Sequence, residues 1–124
     1  MRDFEHDVLT EKIIGCCFEV HRSLGPGFIE KIYAKALHHQ LKSAGLQFEP
    51  EKEFSISFND QIVGKFRCDL FIEGKVIVEL KSVTGIAPKL FQVQLLSYLK
   101  ASKVKTGLLI NFGNTSCEVK RLSV

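Results

Sequence analysis

The sequence predicts an α/β sandwich, a mixed sheet flanked by helices, and three observations carry that expectation. Apolar residues recur at helical spacing as far as Gly45 and then switch to a period of two. Two later runs, Val76-Ile-Val-Glu-Leu80 and Gly107-Leu-Leu-Ile-Asn111-Phe112, are continuously apolar, as in strands covered on both faces. A further helical pattern separates those runs, so the order is helix, helix, three strands, helix, two strands.

The first helical pattern spans residues 6–24, where Leu9, Ile13, Cys16, Cys17, Val20 and Leu24 form one stripe. Gly25-Pro26-Gly27 stops it. The second spans residues 28–44, with Ile29, Ile32, Tyr33, Ala36, Leu37, Leu41 and Ala44 as its apolar face and Gly45 as its cap. Phe54, Ile56 and Phe58 then alternate with Glu53, Ser55 and Ser57, which predicts a strand with one apolar face. Asn59-Asp60 is a turn signal, and residues 62–72 are expected to return as the second strand. Residues 74–81 form the third strand of this antiparallel meander. A loop over residues 82–88 holds Gly85 and Pro88, and a helix follows over residues 89–101 on the stripe Phe91, Leu95, Tyr98 and Leu99. Residues 105–112 read as a buried strand and residues 117–122 as a short edge strand.

A chain of 124 residues is expected to form one domain over residues 1–124, large enough for a real core. Hydrophobic residues at 45% and charged residues at 25% exclude a disordered chain. The net charge of +3 leans towards an anionic partner, which permits nucleic acid without demanding it. Lys100, Lys103, Lys105, Lys120 and Arg121 form a modest basic group of the kind that is usually a solvated face. Cys16, Cys17, Cys68 and Cys117 show neither a CxxC pair nor zinc spacing, and read as small buried hydrophobes of a reducing cytosol. His21, His38 and His39 lack metal spacing too and read as surface or boundary residues. The charged opening has no apolar core of a signal peptide, and no stretch approaches the ~20 apolar residues of a membrane span. A cytoplasmic protein is expected.

Glu79 and Lys81 interrupt the apolar run of the third strand, and two residues apart they share one face of it. Charges are seldom buried without a partner, so they need a physical reason. Whether Asp69 joins them depends on the hairpin register. A two-residue loop at Glu73-Gly74 pairs Ile72 with Lys75 and puts Asp69 on the wrong face. A three-residue loop, Ile72-Glu73-Gly74 with Gly74 left-handed, pairs Phe71 with Lys75 and Asp69 with Ile77, placing Asp69 diagonal to Glu79. The second register is favoured because Gly occupies the position needing positive φ.

Two further side chains have two readings each. Glu30 in the first turn of the second helix either complements the helix dipole or points at the sheet to join Asp69 and Glu79. Gln94 shares a face with Tyr98 and is either hydrogen-bonded within the core or turned to a site. Converging carboxylates stay ionised most cheaply around a divalent cation, and Asp69, Glu79 and the carbonyl of Leu80 are hard oxygen donors suited to Mg²⁺ or Mn²⁺. A lysine beside such an ion can help deprotonate a bound water and stabilise charge growing on a phosphate. Together these parts describe metal-assisted phosphodiester hydrolysis. The competing reading is a nearly neutral cross-strand charge pairing at the edge of a hairpin.

Gly27-Phe-Ile-Glu30-Lys-Ile-Tyr33, Cys68-Asp69 followed after nine residues by Glu79-Leu80-Lys81, Gln94-Leu-Leu-Ser-Tyr98-Leu99, and Gly107 to Phe112 together resemble the GxxExxY family, a compact branch of the PD-(D/E)XK nuclease-like superfamily. Cys68 stands where the superfamily name has proline. The resemblance covers residues 9–121 and implies a restriction-endonuclease-like αβββαβ core. It also implies Asp69 and Glu79 as metal ligands, Lys81 as the catalytic lysine, Glu30 as an additional acidic site residue, and Gln94 with Tyr98 as a helix-borne site edge. The function it implies is a Mg²⁺- or Mn²⁺-dependent nuclease acting on DNA or RNA, with a homodimer or protein partner expected because so small a domain offers little surface for readout. The alternative is a non-catalytic nucleic-acid-binding or regulatory module that retains the fold; a third reading is a purely structural interaction protein.

Overall fold

The computed structural model describes the backbone of residues 4–124 and the side chains of residues 7–124; the first residues of the charged opening, read above as no signal peptide, lie outside them. In chain order come α1 (Phe4–Leu24), α2 (Glu30–Ser43), β1 (Phe48–Pro50), β2 (Glu53–Phe58), β3 (Gln61–Arg67), β4 (Leu70–Ile72), β5 (Val76–Lys81), α3 (Lys89–Ser102), β6 (Thr106–Asn111) and β7 (Glu118–Ser123). Five strands form one sheet in the order β1-β4-β5-β6-β7, and β2-β3 is a separate ribbon. Only β5 and β6 pair in parallel in the five-stranded sheet, across the α3 crossover, so the sheet is mixed as expected.

Alternation along β5 distributes its side chains between two cores. Val76, Val78 and Leu80 enter the core made with α1 and α2, among Ile13, Leu37 and Leu41. Ile77 enters the opposite core, with Leu95 and Leu99 of α3. Glu79 and Lys81 follow Ile77 onto the α3 face, because side chains two apart share a side. The cysteines are all free, and Cys16, Cys17 and Cys68 are buried as expected. No helix among the described residues is long and apolar enough to cross a membrane.

The predicted meander needs three corrections. Residues 62–72 are not one strand: β3 and β4 belong to different sheets and part at Cys68-Asp69. The chain breaks at the same level on the other side, where Glu51 turns left-handed at φ 54° and separates β1, an unforeseen strand, from β2. Paired backbone bonds, Glu51 N–H to the Asp69 carbonyl and Cys68 N–H to the Lys52 carbonyl, hold both sides of the kink at 3.0 Å. The cause is aromatic: Phe54 packs edge-on against Phe71 and stacks on Phe66, and Phe66 stacks on Tyr98 of α3 at 4.1 Å, drawing the ribbon over that helix.

The third correction concerns the β4-β5 register. Glu73 and Gly74 are both left-handed, at φ 53° and 63°, Lys75 N–H closes the turn on the Ile72 carbonyl, and Ile72 pairs with Val76. The loop has the favoured three residues but lies one position later, at Glu73-Gly74-Lys75, so neither expected register occurs. Moving the loop by one residue shifts the pairing by two, so Asp69 keeps the face foreseen for it and stands one step beyond the Leu70-Val78 pair, opposite Glu79. His21 also departs from its surface reading: it is buried, stacked on Phe112, with Nε2 2.9 Å from the Asn114 carbonyl.

Candidate metal centre

The kink at Cys68-Asp69 takes the Asp69 backbone out of the regular ladder and gives its N–H another acceptor. That N–H donates to Glu79 Oε2 at 2.7 Å, and in return Leu80 N–H donates to Asp69 Oδ2 at 2.7 Å. Each acid is therefore fixed by the other's strand. The two carboxyls also act on one another's titration. Burial first raises both acids above their ordinary range, and Glu79, with the charge of Asp69 as second cause, is pushed to about 7. Lys81 acts the other way on both. Its Nζ lies 4.4 Å from the centre of the Phe91 ring, on the α3 side of the sheet.

Leu80 contributes backbone. Its N–H points to Asp69, and the N–H and C=O of one residue point the same way across a strand, so its carbonyl faces the edge that β4 leaves open. Asp69 and Leu80 accordingly line a cavity of about 530 Å³ with Glu30. Glu30 is the first residue of α2 and exposed, and it is held there by its neighbours. The fully buried Tyr33 stacks on Phe112 at 4.5 Å and its hydroxyl donates to the Gly25 carbonyl, fastening the turn between α1 and α2. Ser82 Oγ, just past β5, donates to the Phe28 carbonyl at 2.6 Å and ties the two segments together.

The exit of β5 is fastened again by side chains that imitate a strand. Asn111 Oδ1 accepts from Val83 N–H and Nδ2 donates to the Val83 carbonyl, each at 3.0 Å. Asn114 grips Gly85 in the same two-point manner at 2.7 and 2.8 Å. Glu118 Oε1 accepts from both amides at 3.1 Å. Gly113 lies so close that a Cβ there would stand 2.2 Å from the Val83 carbonyl oxygen.

Asp69, Glu79 and Lys81 are thus brought together on one face. Glu30 reaches the same cavity as Asp69 but does not complete a cluster with both acids: among the described residues no three His, Cys, Asp or Glu side chains gather into a metal-holding group. Tyr98 is half-buried, and its hydroxyl is raised by burial and by the charges of Glu79 and Asp69, which puts it within their field. Gln94 is exposed on α3, while Gln92, which the sequence did not single out, lines a small cavity of about 160 Å³ with Lys81 and Phe91. The spacing of Phe91, Leu95 and Leu99 leaves room for either glutamine, so no sequence signal chooses between them.

A family model for the PD-(D/E)XK nuclease superfamily matches residues 7–122. The chain belongs to that superfamily. The fold is similar to that of a solved structure described as SSO0001, with a TM-score of 0.61 at 21% identity over 75% of this chain. This PD-(D/E)XK chain spans about half of that protein, 48% of its length. No protein of curated function matches the sequence.

Proposed function

We propose that this member of the PD-(D/E)XK superfamily is a Mg²⁺- or Mn²⁺-dependent nuclease of the GxxExxY branch, hydrolysing phosphodiester bonds of DNA or RNA. The observation that carries this reading is the Asp69-Glu79 pair. Each carboxylate is held at 2.7 Å by a backbone N–H of the other's segment, a pairing that can present both to one divalent cation, and burial disfavours their joint ionisation without it. The donors fit a hard cation: the Asp69 and Glu79 carboxylates with the Leu80 carbonyl as the direct set, and Glu30 across the cavity. When bound, such an ion supplies an acidified water and neutralises charge on the phosphate.

The chain's own residues do the rest. The reciprocal backbone bonds keep both carboxylates from turning away when they ionise. Lys81, rising from the same strand face, holds its ammonium where it can orient the attacking water and face the phosphate oxygens. Phe91 beneath it limits its travel. Tyr98 borders the α3 side. Asp69→Asn and Lys81→Met should each lower metal-dependent cleavage of oligonucleotides by about 100-fold or more while circular dichroism stays unchanged. Calorimetric titration with Mn²⁺ should show binding to the wild type and none to Glu79→Ala. Cleavage that survives both the Asp69 and Lys81 substitutions rejects the assignment.

A further inference from the structure

The cavity beside the acids continues away from them along one flank of α2. Lys31, Lys35 and His38 line it from the helix, and at a rise of about 1.5 Å per residue they form a row about 10 Å long. Lys31 and Lys35 are exposed and neither has an ion-pair partner among the described residues. Unpaired ammonium groups lining a groove are a complement for an anionic chain. The opposite wall carries Glu51, held in its left-handed kink. Glu30 and Asp69 lie at the end where the cation would sit; beyond them the α2 wall carries two ammonium groups and the opposite wall one carboxylate. At the far end His38 is stacked on Phe48 with ring centres 5.1 Å apart. Burial first, then Lys42 and His39, lower the His38 imidazole against the opposite pull of Glu51, and the ring lining the cavity beside Phe48 is an aromatic platform for a base.

We infer that this groove is the track of a single nucleic-acid strand, its phosphates against Lys31 and Lys35 and one base on the His38-Phe48 pair, leading the backbone to Asp69. A duplex fits less well, because its second backbone would run past Glu51. The inference rests on Asp69 and Glu79 being the reacting end, and it is tested by binding and not by turnover.

Anisotropy of a labelled 12-nucleotide single strand is measured against salt in the Lys81→Met protein with Mg²⁺, which retains every groove residue. Adding Lys31→Ala and Lys35→Ala should reduce the slope of log K against log salt by about 1.4, at about 0.7 per phosphate contact on a single strand. His38→Ala should weaken binding by about five-fold or more with the slope unchanged, since stacking carries no counterion release. Lys100→Ala with Lys103→Ala, on the other side of the sheet, should leave the slope as it was. An unaltered slope in the Lys31/Lys35 variant, or a duplex of equal length binding more tightly than the single strand, overturns the track. A reduced slope without wild-type cleavage keeps the track and defeats the nuclease reading; cleavage with an unaltered slope does the reverse.

Discussion

Replacing Glu79 by Gln should make the protein more stable and inactive together, and the size of the gain follows from the site. The Glu79 carboxyl is pushed from 4.5 to about 7, first by burial and second by the charge of Asp69. That displacement corresponds to about 3 kcal/mol, an upper figure because the two acids share it. Its folded-state value lies above the unfolded one, so the stabilising contribution is complete below about 4.5 and is lost as the pH rises through about 7. Gln keeps a carbonyl oxygen for the Asp69 N–H and never ionises. In chelator, urea titrations of the two proteins should therefore coincide near about pH 4, with the variant ahead by about 2–3 kcal/mol near pH 8. Saturating Mn²⁺ should raise only the wild type, by about 2.7 kcal/mol at a hundred times its dissociation constant. A variant that is no more stable than wild type at the higher pH refutes the account of two buried, mutually repelling acids.

Two further substitutions probe what holds the site in place. Asn111→Ala strips the Val83 N–H and carbonyl and the Gly113 N–H of their partner, and should cost about 2–3 kcal/mol in denaturant titration; a loss below about 0.5 kcal/mol would show that the clamp is dispensable. Phe66→Ala removes the ring between Phe54 and Tyr98 and should cost about 3 kcal/mol. Amide exchange should then quicken in β2 and β3 while β5 and β6 stay protected; uniform quickening would mean the ribbon is not a separable unit.

The strand of Glu79 and Lys81 was legible because these two break an apolar run, a violation of burial that a sequence displays openly. The face of Asp69 was legible too, though not its register, since Gly74 fits the middle or the last position of a three-residue loop equally well. The split of β3 from β4 was hidden because its cause lies in stacking between Phe66 and Tyr98, far apart in the chain. Asn111 and Asn114 were equally opaque: only the neighbouring segment, residues 83–85, reveals each amide as a peptide mimic. His21 reads as polar from its chemistry, and only the Asn114 carbonyl in the folded chain explains its burial.

The double asparagine grip has a bearing on how the chain can be engineered. Both amides converge on Glu118, the first residue of β7, so the exit of β5 beside the acids is secured by the strand that pairs with the far side of β6. Changes within β7 would therefore loosen the centre without touching either acid.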